Sequence, residues 1–220
     1  MDCKTMPPDT LDRICHEAQR RDAISLHRWC SKHEPGDLTA VDLAVLFGLM
    51  LDEGLVETFF HDGSVPADPS GLPFFLNWAM DPCQWFYGVR REGEWIGFAA
   101  VNNFTSGGNT AMTHLLSFKT GRDGSFRRAG HIWFELLRGA GLATALAVIP
   151  ACYRGVRIWA ESFGFKERMR LPQAILIHRN GKERLTDAIV SVKDHKACGG
   201  SEACRASREE GARTELAPNA

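Results

Sequence analysis

In the first third of the chain hydrophobic residues recur three and four apart, and from residue 84 onward they alternate or run continuously. Helices are therefore expected first and a sheet afterwards. Leu11, Ile14, Cys15 and Ala18 share one stripe, and Leu26, Trp29 and Cys30 share another after the polar Arg20-Arg21-Asp22. Residues 9 to about 32 thus read as a bent helix or two short ones. A further helix opens near Thr39, where Thr39 and Asp42 have capping-box spacing and Leu38 and Leu43 hold the positions of a hydrophobic staple. Its buried face is expected to carry Val41, Ala44, Val45, Gly48 and Leu49. The stretch from Gly63 to Gly71, with Pro66 and Pro69, reads as a loop, and Pro73 sits where a first helical turn tolerates proline, starting a short helix to about Met80.

After Asp81-Pro82 the period changes. Gln84–Arg90 and Glu94–Asn103 read as strands of a hairpin turning at Arg91-Glu92-Gly93, and Ala111–Phe118 as a third strand. A basic, glycine-containing segment, Lys119 to Ser125, precedes a helix whose Phe126, Trp133, Phe134 and Leu137 face a core and which stops at Gly139-Ala140-Gly141. Leu142–Ile149 is continuously apolar, as in a strand buried on both faces. A helix with Val156, Trp159, Ala160 and Phe163 ends at Gly164, and Lys166–Ile177 and Thr186–Val192 follow as strands around Asn180-Gly181. The order predicts an α/β fold with a central sheet. Residues 39–194 form one domain in this reading, with an N-terminal helical extension over 1–38 and a disordered, polar tail over 195–220.

Composition narrows the classes of function. The 220 residues carry 26 basic and 27 acidic side chains, a formal net charge of −1. This argues against a nucleic-acid binder, which normally shows a basic excess. No apolar run approaches the roughly 18–20 residues of a spanning helix, and the N-terminus is polar where a signal peptide would be apolar, so a cytoplasmic protein is expected. The seven cysteines are scattered without a CxxC pair and read as reduced thiols. On a helix, His27, Cys30 and His33 would share a face, but helix-face Cys and His are commonly packing or surface residues, and no metal is assigned.

Charge is unevenly spread. From Glu34 to Asp81 there are nine acidic residues and no Lys or Arg, whereas Lys119 to Arg170 holds ten basic residues against four acidic ones. Such asymmetry steers ligands by a local field even at zero total charge. The turn between the third strand and the next helix suits an anion, because the first N–H groups of a helix lack intrahelical partners and lie at the positive end of its dipole. Gly121 and Gly124 would admit a ligand to the backbone there, and Lys119, Arg122, Arg127 and Arg128 surround it, with Asp123 the one acid.

From about Leu72 to Lys193 the chain resembles the GNAT superfamily of acyl-CoA-dependent N-acetyltransferases. Tyr153 through Gly164-Phe165 is similar to the family's helix running into a Gly-Phe, and Lys166 to Arg170 with Gly181 to Asp187 resemble its closing strand pair. The resemblance implies a mixed, mostly antiparallel sheet with one splayed parallel pair, flanked by helices. It implies acetyl-CoA as cosubstrate, held by Leu116, Ser117 and Phe118 at the end of the first splayed strand, and by Arg122, Gly124, Ser125, Phe126, Arg127 and Arg128 around the diphosphate turn. The family's Arg/Gln-x-x-Gly-x-Gly/Ala pattern falls over Asp123 to Arg128, which puts Phe126 and Arg128 where small residues are usual; shifted to Arg127-Arg128-Ala129-Gly130 it leaves Ile132 in the last position.

On the catalytic side, Ala160 stands where many members carry a Tyr, and Tyr153 where an Asn is often found. His114, on the strand lining the cleft, has an ordinary pKa suited to a base, and Tyr153 is the candidate acid. The implied reaction is acetyl transfer to a primary amine, a small molecule or a protein amino group, by direct attack, with main-chain N–H groups near Phe118 at the oxyanion. The family's first helices wall the acceptor side, so the acidic segment favours an amine or basic peptide. The alternative is an inactive module with the same fold, its N-terminal helix a docking element or homodimer arm.

Overall fold

The computed structural model describes residues 23–30, 34–105, 109–179 and 181–195. Seven strands form one sheet, β1 Ile24–Arg28, β2 Trp85–Arg91, β3 Glu94–Asn102, β4 Thr110–Ser117, β5 Thr144–Pro150, β6 Lys166–Arg179 and β7 Lys182–Asp194, in the order β1-β2-β3-β4-β5-β7-β6. All neighbours are antiparallel except β4 and β5.

β1 corrects the helical reading of residues 9 to 32 over its own length. Ile24 and Leu26 are buried while Ser25 and His27 are not, the alternation of a strand, and pairing along Ile24↔Arg91 to Arg28↔Tyr87 supplies its backbone hydrogen bonds. His27 therefore stands on a strand, bonded to Ser25 Oγ (2.8 Å) and the Gly36 carbonyl (2.9 Å), and no helix face gathers it with Cys30. His33, the earlier part of the expected extension (1–22) and the tail beyond 195 lie outside the described residues.

The helices are α1 Ala40–Asp52, α2 Val56–Phe59, α3 Leu72–Ala79, α4 Ser125–Gly139 and α5 Arg154–Ser162. The Thr39–Asp42 capping box is present, Thr39 Oγ1 accepting from Asp42 N–H (3.1 Å) and the Asp42 carboxylate from Thr39 N–H (2.9 Å). The buried face of α1 differs from the expected one: Leu43, Leu46, Phe47 and Met50 are inside, whereas Val41 is 73% exposed and Val45 46%. Apolar residues surround this helix, so two stripes fit the period, and the one carrying larger side chains removes more apolar area from water.

Both sheet faces are covered. Tyr87, Val89, Ala99 and Val101 pack with Phe126, Trp133 and Phe134 of α4 and with Phe163 just after α5. Phe86, Phe98 and Ala100, from alternate positions of the same strands, pack with α1 to α3. β5 is not buried on both faces, Val148 being 37% exposed where β5 turns away from β4. Among the described residues no helix is long and apolar enough to cross a membrane.

Candidate functional site

β4 and β5 are paired only along Thr110–Met112 and Thr144–Leu146. Beyond that point β3 stays with β4 up to Ser117, while β5 follows β7 to Pro150, so the two parallel strands splay. Strand residues present N–H and C=O to alternate sides. Phe118 N–H donates to the Ile96 carbonyl (3.0 Å), which turns the backbone of Phe118, Leu116 and His114 toward β3. The groups of Thr113, Leu115 and Ser117 then face the gap. Of the three residues expected to bind at the strand end, only Ser117 offers its backbone there. Of the main-chain N–H groups near Phe118 expected at the oxyanion, that of Phe118 itself is already engaged, and its ring is buried against α1 to α3.

A cavity of about 370 Å³ fills the splay, lined among others by His61, Thr113, His114, Val148, Tyr153 and Trp159. His114 Nε2 lies 3.1 Å from Asn102 Oδ1, Asn102 Nδ2 donates to Gln84 Oε1 (2.9 Å), and Gln84 Nε2 donates to the Trp78 carbonyl (2.8 Å). Each amide spends its NH₂ on the next acceptor and presents its oxygen to the group before it, so His114 is the donor at Nε2 and its lone pair is on Nδ1. Rings of Phe59 and Trp78 stand 6.0 Å away. Burial, with nearby His61, pushes the His114 pKa down to about 4, so the ring is neutral at pH 7.

Tyr153 is the N-cap residue of α5. Its hydroxyl is enclosed without a hydrogen-bond partner among the described residues, as is His61 Nδ1, and burial raises the Tyr153 pKa. His61, which sequence reasoning missed, follows α2 and is tied to β6 because its carbonyl accepts from His178 N–H (2.6 Å). Nothing in the local sequence distinguishes it from a surface histidine.

The turn after β4 is built differently from its basic composition. Glu53, at the end of α1, accepts Lys119 N–H with both carboxylate oxygens (2.8 and 3.0 Å) and pairs with Arg122 (3.3 Å). Asp123 accepts Ser125 N–H (2.9 Å) and pairs with Arg91, and these contacts hold its carboxyl well below the usual range. Gly121 is needed for packing rather than ligand access, since a Cβ there would lie 2.6 Å from the Ile96 carbonyl oxygen. Gly124, at φ +97°, has open space around it. Arg128 N–H returns to the Gly124 carbonyl (3.2 Å), leaving those of Phe126 and Arg127 as the unpartnered first-turn donors. The two large residues that stand where small ones are usual are directed away from the turn: Phe126 points inward, stacked on Trp159 (5.8 Å between centroids, 19° between planes), and Arg128, like Arg127, is exposed.

No family model and no curated protein matches the sequence. Solved structures do. A spermidine N-acetyltransferase from Vibrio cholerae, in complex with CoA and spermine, superimposes with a TM-score of 0.60 at 12% identity over 78% of this chain and 95% of its own. A ribosomal alpha-N-protein acetyltransferase in complex with coenzyme A gives 0.58 at 11% identity over 80% and 96%. A probable acetyltransferase of the GNAT family from Chromobacterium violaceum gives 0.64 at 17% identity over 81% and 86%. With its splayed parallel pair and flanking helices, the chain has the GNAT acetyltransferase fold.

Proposed function

We propose that the protein transfers an acetyl group from acetyl-CoA to a primary amine. The observation that carries this reading is the splay of β4 from β5, which leaves an open backbone edge beside a cavity of about 370 Å³ bordered by His114, His61 and Tyr153. The residues fit such a cosubstrate: Thr113, Leu115 and Ser117 can bond an amide-bearing arm, and Phe126 and Arg127 N–H, with the Arg127 and Arg128 side chains, a diphosphate. Solved structures of the same fold hold CoA.

Acetyl-CoA supplies an activated thioester. His114 Nδ1 accepts the proton of the amine as its nitrogen bonds to the carbonyl carbon and releases it to solvent after turnover, and Nε2–H keeps its bond to Asn102 throughout. The gap-facing N–H groups oppose the charge developing on the carbonyl oxygen. As the C–S bond breaks, Tyr153 gives its proton to the sulfur and is reprotonated from solvent. Among the described residues no cysteine lines the cleft, Cys152 lying in an adjoining recess, and direct attack is the route proposed.

A second reading, the fold without transfer, is favoured by the two carboxylates, Glu53 and Asp123, already on N–H groups of the turn. Titration calorimetry with acetyl-CoA, followed by thiol release with an amine panel for wild type and His114→Gln, separates the two. Saturable binding and turnover lost in the variant are expected. Absence of binding at millimolar acetyl-CoA would overturn the proposal.

A further inference from the structure

Of the acidic stretch expected to attract a basic acceptor, Thr58, Phe59 and His61 line the cleft and Glu57 acts on Tyr153 from α2, but most of its carboxylates are engaged elsewhere. Asp37 bonds Glu34 N–H, Asp62 Ser64 N–H, Asp68 Ser70 N–H and Asp81 Cys83 N–H. Asp42 caps α1 and pairs with Arg90 (3.0 Å), and Glu53 holds the turn after β4. Four of these carboxylates close local turns, Asp42 and Glu53 also reach other elements, and among the described residues no carboxylate lines the cavity between β4 and β5.

A second recess of about 270 Å³ adjoins it, lined by Cys152, Tyr153, Ile177, Arg179, Lys182 and Arg184. Tyr153 borders both spaces, so they share a wall at the candidate acid. Arg179, Lys182 and Arg184 come from the facing ends of β6 and β7, and none forms an ion pair among the described residues. Arg179 is close enough to Tyr153 to favour its ionised form, opposing Glu57 on α2, which has an interaction of its own. The bond from His178 N–H to the His61 carbonyl fastens this end of β6 to the loop after α2, placing the three cations beside the wall formed by the first helices.

We propose that the acceptor is a small amine that also carries an anionic group, which Arg179, Lys182 and Arg184 hold in the recess beside Tyr153 while the amino group enters the cleft at His114. The inference rests on the acetyltransferase reading. A carboxylate and a phosphate share this chemistry, an anion with several acceptor oxygens for guanidinium and ammonium donors. A polyamine or basic peptide would instead meet three like charges against the single nearby carboxylate of Glu57 on α2, none lining either space among the described residues.

The test compares acetyl transfer to O-phosphoethanolamine and β-alanine with transfer to ethanolamine and cadaverine. It uses wild type and a triple variant, Arg179→Gln, Lys182→Gln and Arg184→Gln, whose sites are exposed. At low salt kcat/KM is expected to be at least about tenfold higher for an anionic amine than for ethanolamine, with most of that advantage lost near 0.5 M salt as screening shortens to a few ångströms. The phosphate and carboxylate arms show which anion is preferred. The triple variant should lose about tenfold more on the anionic amines than on ethanolamine, whose rate moves only as far as the loss of Arg179 alters Tyr153, and keep its KM for acetyl-CoA. Equal or greater turnover of cadaverine, or a loss shared by all four amines, overturns the inference. Calorimetry of the four amines keeps the readouts separate. Saturable binding of an anionic amine that the triple variant loses, without acetyl transfer, supports the anion site and sinks the acetyltransferase reading. Acetyl transfer without anion preference does the reverse.

Discussion

Phe126→Ala tests whether the start of α4 is a ligand turn anchored by the core. Phe126 is 1% exposed, stacks on Trp159 at 5.8 Å, and faces Gly97 so closely that a Cβ on Gly97 would lie 2.3 Å from its ring. Truncating a buried Phe to Ala costs about 3–5 kcal/mol, depending on how far the site collapses. On the Gly97 side there is no side chain to move in; on the other side Trp159, half-buried, can relax toward the space. The expected loss is therefore about 3–4 kcal/mol, or roughly 6–16 °C in Tm at about 2–4 °C per kcal/mol for a domain of this size. Urea unfolding followed by tryptophan fluorescence measures it, with the slope against denaturant unchanged. Acetyl-CoA affinity, read well below the unfolding temperature, should be retained or improved, because the backbone N–H of residue 126 remains and the ring between α4 and α5 is gone. A loss below about 1 kcal/mol would refute the enclosure of Phe126. Loss of binding in a folded variant would refute the assignment of the backbone as the donor.

Three further outcomes follow from the geometry. Below pH 6.5 the unfolded chain takes up a proton at residue 114 that the folded one refuses until about pH 4, so stability is kept above that window and falls as pH drops through it, by about 3 kcal/mol; His114→Gln should flatten the fall in urea midpoint between pH 7 and 4.5, and an unchanged slope contradicts the burial. Nitrogen-15 NMR should find the His114 proton on Nε2, with the fixed tautomer lost in Asn102→Leu; a proton on Nδ1 in the wild type would break the relay through Asn102 and Gln84. Gly97→Ala puts a Cβ 2.1 Å from the Leu116 carbonyl oxygen at φ +155°, and a cost of about 3 kcal/mol or more is expected; a melting temperature within 2 °C of wild type would show the strands can part there.

Apart from the short α2, which it missed, the sequence by itself determined the element order from Thr39 to Val192, because capping residues, the Arg91-Glu92-Gly93 turn, glycine stops and strand alternation are local signals that act within a few residues. It also brought His114 and Tyr153 forward as chemistry-bearing residues. Tertiary structure decided what depends on neighbours far along the chain. Ile24–Arg28 is a strand because β2 offers it an edge, and the apolar surround of α1 left its buried face to be chosen by the sheet beneath it. Glu53 and Asp123 engage two N–H groups of the turn that composition alone marked as an open anion site. Much of the acidic run is spent on local turns, and the cations gather at Tyr153 from the ends of two paired strands. Charge counted along a sequence carries no direction; only the packed chain fixes which carboxylates meet N–H groups at home and which cations are left facing a cavity.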